Sequence, residues 1–358
     1  MEAEDRGMNS IFTPKWLSLC ALLMILVGIS FDRTYDMTVM LSGIVLSLWI
    51  AITVHELGHV LAGKVSGFEF VFFISGPFQC LRTADGIRLM ENKNWLYFGG
   101  VAWMTPPRLE FKKLAKKEAV FVAGGPAVSI LISILSLAVY YLSDFIIFLY
   151  FAIMNIVIFF ATAIPLKTSM KTDGYILLTL LKNNEDTTKL LDELILTKEL
   201  LSSKQPTQWD VELVNSARQK RPSVENLQYA MLLYYYEVQQ NGFHHAIKVL
   251  QSYKSIPITK DNKFPMSFII SMDQIELFLE GDGNTQAILK HQKNLSVIEP
   301  VSYYRGQAMI AYLEKDFEHA LANLEKVYTL VDKNESLYGF FIAEKILTNL
   351  VKEKIVRK

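Results

Sequence analysis

Two histidines and a glutamate lie within five residues, in the segment His55-Glu56-Leu57-Gly58-His59. If this segment is helical, positions four apart share one face, so both imidazoles can reach a single metal ion. Glu56 directly follows the first histidine, where it can take a proton from a water molecule at that metal. The alternative, a polar contact between helices, leaves the spacing unexplained. The motif therefore predicts metal-assisted hydrolysis, with His55 and His59 as ligands and Glu56 as the general base.

A catalytic zinc site usually takes three protein ligands, so the histidine pair needs a further partner. The other histidines lie far along the chain, in its more polar half: His244, His245, His291 and His319. Asp173 follows a long apolar run and supplies a carboxylate, a ligand type that zinc accepts. Asp173 can alternatively be the N-cap of a helix at Tyr175–Leu181. We predict that Asp173 is the third ligand.

Four apolar segments must position these groups, at about residues 16–31, 37–54, 119–142 and 145–166. A membrane-spanning helix needs roughly 17–25 residues, so the last three segments qualify and the first is marginal. A cleaved signal peptide is the alternative for the first segment, but the acidic residues before it do not suit that role. The sequence therefore predicts about four transmembrane helices.

The distribution of basic residues predicts how these helices are oriented. The connection after the first span has one basic residue, Arg33, and Ser143-Asp144 between the last two spans has none. Many lysines and arginines lie between the second and third spans and after Leu166. Because positively charged loops stay in the cytoplasm, we expect a multi-pass protein of the cell membrane with both termini cytoplasmic.

The segment from Phe68 to Pro107 is aromatic and β-branched and is interrupted by glycine-containing turns, which is typical of short strands. Sheet edges cannot face lipid, so these strands are expected at the interface or against the helices. The basic stretch Lys112–Lys117 that follows is typical of a helix lying on anionic headgroups.

Composition divides the chain into an apolar and a soluble part. Overall, 51% of the residues are hydrophobic and 20% are charged, but residues 182–358 resemble an ordinary soluble protein. This excludes a uniformly soluble enzyme, and the aromatic content and zero formal net charge exclude a disordered chain. The zero net charge also provides no field that would attract nucleic acid.

Three stretches of the soluble part look alike, and each places an alanine in a second helix: Ala246, Ala287 and Ala320. Helix pairs that recur at roughly 34 residues resemble tetratricopeptide repeats. The alternative is a helical bundle without a binding role. We predict a degenerate tetratricopeptide-like domain.

The motif His55–His59 in an apolar helix, followed by Pro165 and by Asp173-Gly174 after a later span, resembles the site-2 protease family of intramembrane zinc metalloproteases. The resemblance covers about residues 37–183. The segment Gly124–Ser129 is similar to the family's Gly-Pro motif, where small residues let helices approach closely. The strand-like region is similar to the family's β-hairpin and re-entrant loops.

The resemblance implies one Zn²⁺ bound by His55, His59 and Asp173, with Glu56 as the catalytic residue. It also implies substrate contacts, for which the candidates are Gly100, Ser129, Asn155 and Thr162. Ser129 and Thr162 stand where the family commonly has asparagine, and the spacing from Pro165 to Asp173 is longer than usual. Asn155 can alternatively form a hydrogen bond between helices.

Together these features predict a mainly α-helical membrane protein. We expect an N-terminal cytoplasmic segment at residues 1–15, a membrane-embedded metalloprotease domain with a small β-hairpin region at 16–183, and a soluble helical-repeat domain at 184–358. The predicted function is zinc-dependent endopeptidase action on membrane-embedded or hydrophobic peptides, in regulated intramembrane proteolysis or peptide maturation. The alternative is an inactive membrane scaffold that binds a cytoplasmic protein through its repeats. Expected partners are the bilayer, a peptide substrate and a cytoplasmic protein, and no nucleic acid.

Overall fold

The structure is a computed structural model that describes residues 13–83, 86–92, 95–106, 111–166, 171–280, 285–297 and 299–357. Predictions about most of the N-terminal segment, the turn at 84–85, Pro107, the loop 167–170 and the turn at 281–283 lie outside the described residues. The chain divides into two compact units, Met1–Leu194 and Ile195–Lys358. The domain boundary at residue 184 stays a prediction.

The first unit consists of helices and a small sheet. Its helices are α1 (Pro14–Ile29), α2 (Asp32–Val65), α3 (Phe111–Ser143), α4 (Ile146–Ala163), α5 (Asp173–Lys182) and α6 (Glu185–Leu200), the last of which continues into the second unit. Among the described residues, three helical segments are long and apolar enough to cross a membrane: Asp32–Val65, Lys112–Ser143 and Ile146–Ala163. Helix α1 is apolar but has only 16 residues, so the fourth span stays a prediction.

The connection between α1 and α2 is shorter than the sequence predicts. We expected a loop at Asp32–Asp36, but α2 begins at Asp32. An acidic residue in the first helical turn is stabilised by the positive end of the helix dipole. The Thr34 hydroxyl also donates to the carbonyl of Gly28 at 2.8 Å, which ties the start of α2 to the end of α1.

The sheet is antiparallel, with strand order β3-β2-β1-β4. Its strands are β1 (Glu69–Ser75), β2 (Phe78–Thr83), β3 (Gly86–Glu91) and β4 (Val101–Thr105). The Ser75 and Thr53 hydroxyls are 2.6 Å apart, which places the end of β1 against α2. Gly76 turns the chain there with φ +56°, and an added Cβ would lie 2.7 Å from Trp49 Nε1. The prediction of short strands packed against the helices is therefore confirmed.

Among the described residues of the second unit, the regular elements are helices. Its helices are α7 (Val211–Gln219), α8 (Leu227–Asn241), α9 (Phe243–Leu250), α10 (Ser267–Glu280), α11 (Thr285–Gln292), α12 (Pro300–Leu313), α13 (Phe317–Asn334) and α14 (Phe341–Val356). Ala246 and Ala320 are fully buried, whereas in the middle pair the fully buried residue is Ile288, next to Ala287. The identity of these pairs as tetratricopeptide-like repeats stays a prediction.

Candidate metal centre

The two histidines of the motif and Asp173 converge on one point. His55 Nε2 lies 3.2 Å from Asp173 Oδ2, and His59 Nε2 lies 3.4 Å from the same oxygen. The two Nε2 atoms are 3.3 Å apart, and the three ligand atoms all lie within 4.8 Å of one another. Both histidines are buried on the same face of α2. Side chains from two helices therefore form a compact cluster of nitrogen and oxygen donors.

Helix α3 contacts the Nδ1 atom of both imidazoles, on the side of each ring away from Asp173. His59 Nδ1 donates to the backbone carbonyl of Phe121 at 3.0 Å, so this nitrogen carries a proton and Nε2 is the ring nitrogen that faces the cluster. His55 Nδ1 lies 2.9 Å from the hydroxyl of Ser129. Partners of this kind are typical of metal-binding histidines, because they set the ring orientation and the tautomer.

The Gly-Pro segment of α3 brings the backbone of this helix close to the imidazoles. A Cβ added to Gly125 would lie 2.3 Å from His59 Nε2 and 2.7 Å from His55 Nε2. A Cβ on Gly58 of α2 would lie 2.5 Å from the carbonyl oxygen of Gly124. The glycines therefore allow α2 and α3 to touch, and Gly125 keeps a side chain out of the space beside both ligand nitrogens.

Asp173 is the first residue of α5, and the residue before it is the N-cap. The Thr172 hydroxyl accepts from the backbone N–H of Tyr175 and of Leu166, and it donates to the carbonyl of Ile164 at 2.7 Å. Of the two alternatives for Asp173, the cap is thus taken by Thr172. Threonine is a favoured N-cap residue, so the sequence did indicate Thr172 as a cap. We considered only Asp173 for that role.

Gly174 lets α5 begin directly against the end of α4. A Cβ at this position would lie 1.8 Å from the carbonyl oxygen of Ala163. Burial raises the pKa of Asp173, but hydrogen bonds with His55 and His59 outweigh this effect and hold the pKa at about 2. Asp173 is therefore a carboxylate at neutral pH, the form that binds a cation.

Glu56 lies beside the start of β4. Gly100 has φ +95°, and a Cβ there would lie 2.6 Å from Ile52 Cγ2 and 3.0 Å from Glu56 Cγ. The backbone N–H of Ala102 hydrogen-bonds to the Glu56 carboxylate. Glu56 is only half-buried, unlike the two histidines that flank it. The carboxylate is therefore held next to the cluster while it remains accessible.

The other candidate substrate residues are found in different surroundings. Ser129 is completely buried and contacts His55. Asn155 is also completely buried, and its Nδ2 donates to the carbonyl of Phe151 in the same helix at 2.9 Å. The Thr162 hydroxyl bonds to the carbonyl of Phe159, also within α4, at 3.5 Å. Their contact with a substrate stays a prediction.

Sequence reasoning did not single out Glu118, a buried carboxylate on α3. Its side chain is 8% exposed, and its Oε2 atom has no hydrogen-bond partner among the described residues. Glu118 lies one helical turn before Phe121 and is close enough for its charge to interact with His59. The sequence feature that could have identified Glu118 is its position, since it is an acidic residue directly after the lysines of Lys112–Lys117.

The donor set fits a transition metal, because two imidazoles and a carboxylate are the ligand types of catalytic zinc sites. Fold and site thus define a membrane protein in which two buried histidines and a partly exposed aspartate form one cluster. The model of Peptidase family M50 matches residues 43–342. The chain therefore belongs to this family, the site-2 protease family, whose members are zinc metalloproteases, and the resemblance seen in the sequence is confirmed. No curated protein and no solved structure matches the chain.

Proposed function

We propose that the protein is an intramembrane zinc-dependent endopeptidase that hydrolyses peptide bonds of membrane-embedded or hydrophobic peptides. The observation that carries this proposal is the convergence of His55, His59 and Asp173 within 4.8 Å, with Glu56 beside them. These three residues would hold the metal. Zn²⁺ bound there would act as a Lewis acid that polarises the scissile carbonyl.

Glu56 is the general base and acid of the proposed reaction. Its carboxylate takes a proton from the attacking water and returns it to the leaving amine. Gly100 packs against its side chain and the Ala102 N–H holds its carboxylate, so the group is positioned before a substrate arrives. Glu56 is less buried than the two histidines that flank it, and the proposed reaction requires water at its carboxylate.

The edge of the sheet next to Glu56 suits an extended substrate. Peptide bonds in a helix are shielded by their own hydrogen bonds, so a substrate helix must unwind before it is cleaved. Strand β4 is an edge strand of the described sheet. It begins directly after Gly100, which packs against the Glu56 side chain. A substrate segment that bonded to the other main-chain groups on this edge of β4 would pass the Glu56 carboxylate, which the Ala102 N–H holds.

The orientation of the chain is part of the proposal. The basic residues between the second and third spans place His55–His59 toward the cytoplasmic end of α2, with both termini in the cytoplasm. A site near this end of the helix gives water a short path to the bond that is cleaved.

Replacing Glu56→Gln tests the proposal. The variant should bind zinc as the wild type does and lose detectable cleavage of a transmembrane peptide in proteoliposomes, because the amide cannot accept the proton. Glu69→Gln is the matched control, since Glu69 lies on an exposed side of β1 in an ion pair with Arg82. Unchanged turnover in Glu56→Gln would refute the mechanism.

A membrane scaffold is the second candidate function, and the independent core of the helical unit favours it. This core includes Trp209, Tyr234 and Phe278, which are nearly or completely buried. Helical repeats present surfaces suited to a cytoplasmic protein partner. Deleting residues 185–358 separates the two functions: a protease should keep its turnover on a presented peptide, whereas a scaffold should lose all activity in cells.

A further inference from the structure

The two histidines of the metal centre are held by different kinds of partner. His59 Nδ1 donates to a main-chain carbonyl, that of Phe121, which any residue at that position supplies. His55 Nδ1 instead contacts a side chain, the Ser129 hydroxyl, at 2.9 Å. The Nδ1 hydrogen bond of His55 therefore depends on the amino acid at position 129, whereas the Nδ1 hydrogen bond of His59 does not depend on a side chain.

Ser129 lies on the side of the His55 ring that faces away from Asp173. Nδ1 contacts Ser129, while Nε2 of the same ring is 3.2 Å from the Asp173 carboxylate. Ser129 is also completely buried. A group in this position contacts the ring that presents one of the proposed ligands, at the nitrogen that faces away from Asp173.

The direction of the hydrogen bond decides whether His55 can bind a metal. When Nδ1–H donates to the Ser129 oxygen, the Nε2 lone pair points toward the cluster. When the hydroxyl donates to Nδ1 instead, the ring proton is on Nε2, and that nitrogen cannot be a ligand. A serine hydroxyl accepts or donates, so it permits the first arrangement and keeps the buried Nδ1 paired.

We propose that Ser129 is a positioning residue that holds His55 in its metal-binding orientation, and so raises the zinc affinity of the site. This inference rests on the proposed function, since it assigns Ser129 a role toward the metal of that site. Loss of such a partner typically weakens metal binding by about 10- to 100-fold.

A neighbouring serine, Ser133, provides a control that distinguishes this role from a role in helix packing. Ser133 lies one turn further along α3 and is equally buried, but its hydroxyl donates to the carbonyl of Ala152 in α4 at 3.0 Å. Ser133 therefore joins two helices without touching a ligand. Ser129→Ala and Ser133→Ala remove the same atom from adjacent turns of one helix.

The test is the zinc affinity of the full-length protein in detergent, measured by competition with a chromophoric chelator. Ser129→Ala should weaken binding by about 10- to 100-fold, and Ser133→Ala should leave it unchanged. The visible absorption of the Co²⁺-substituted protein should change in Ser129→Ala only, because the His55 ligand is then reoriented. If Ser129→Ala does not fold, the isosteric pair Ser129→Thr and Ser129→Val replaces it, and only the threonine variant should keep high affinity.

Wild-type affinity in Ser129→Ala, or equal affinity in the threonine and valine variants, would overturn the inference and leave the proposed function intact. Equal weakening by Ser129→Ala and Ser133→Ala would also overturn it, since the effect would then come from helix packing. Absence of zinc binding by the wild-type protein would instead refute the proposed function, and the inference would fall with it.

Discussion

Asp173 Oδ2 lies 3.2 Å from His55 Nε2, although 118 positions separate the two residues in the chain. The carboxylate reaches this place because the Thr172 hydroxyl ties the start of α5 to the end of α4 and because Gly174 permits close contact there. Three lone pairs then converge on one point, which is an arrangement that a cation stabilises. The site thus depends on a helix start as much as on the histidine motif.

Removing the Asp173 carboxylate should abolish stoichiometric metal binding. In Asp173→Ala the two imidazoles remain, but a zinc site with two protein ligands is much weaker than one with three. Metal analysis of the purified protein should therefore fall from about one zinc per chain to a small fraction. Asp144→Asn is the control, because Asp144 has φ 56° in the turn after α3 and asparagine tolerates that conformation. Full zinc occupancy in Asp173→Ala would exclude Asp173 as a ligand.

Gly174→Ala should disrupt the site without touching a ligand. The added Cβ would lie 1.8 Å from the Ala163 carbonyl oxygen, so the start of α5 must move away from α4 and take Asp173 with it. We expect loss of zinc affinity and a lower melting temperature in detergent. Gly99→Ala is a matched control, since nothing lies within 4 Å of a Cβ there. If Gly174→Ala behaves like Gly99→Ala, the contact with Ala163 does not position Asp173.

The second unit contains a buried ion pair whose two members should not be removed separately. Arg305 is completely buried, its guanidinium pairs with Glu344, and the Tyr235 hydroxyl donates to the same carboxylate. Arg305→Met should destabilise the helical unit by about 3–5 kcal/mol, because Glu344 is left buried without a counter-charge. The free energy of opening of α12 and α14, measured by hydrogen exchange, reports this change.

Removing both charges provides the control for that prediction. The double variant Arg305→Met/Glu344→Leu should recover most of the lost stability, since a pair of apolar residues carries no desolvation penalty. Arg357→Met removes one member of an exposed pair with Glu353 and should cost less than about 1 kcal/mol. A double variant less stable than Arg305→Met would show that the unpaired charge of Glu344 does not cause the loss of stability.

The helical unit should lose stability in acid through Asp273. Burial raises the pKa of Asp273, but hydrogen bonds with His291 and Lys254 outweigh this effect and hold the pKa below its ordinary value. Because the folded form releases this proton more readily than the unfolded form, the stabilisation is complete above about pH 4 and is lost as the pH falls through the folded pKa.

Asp273→Asn checks this assignment. Hydrogen exchange in α10 and α11, expressed as free energies of opening, should show lower protection near neutral pH in the variant than in the wild type. The variant should also show a smaller loss of protection between about pH 5 and pH 3, because the titrating group is gone. Identical pH slopes in the two proteins would assign the acid sensitivity to another group.

Features that depend on neighbouring residues could be predicted from the sequence. Helical periodicity puts His55 and His59 on one face, and long apolar runs indicate the three described helices that can span a membrane. The glycine-punctuated aromatic stretch likewise predicts the strands of the sheet. The resemblance to the family could also be recognised from the sequence, because the motif His55–His59 is a local pattern.

Other features depend on how separate elements pack, and only the tertiary structure decided them. The sequence left Asp173 as either a ligand or an N-cap, and the structure places Thr172 at the cap and Asp173 within 3.2 Å of His55. Ser129 was predicted to contact substrate, which stays a prediction, and the packing of α3 shows in addition that its hydroxyl contacts His55 Nδ1. Spacing within a helix follows from 3.6 residues per turn, whereas the approach of two helices depends on which small residues meet, as Gly58 and Gly124 do here.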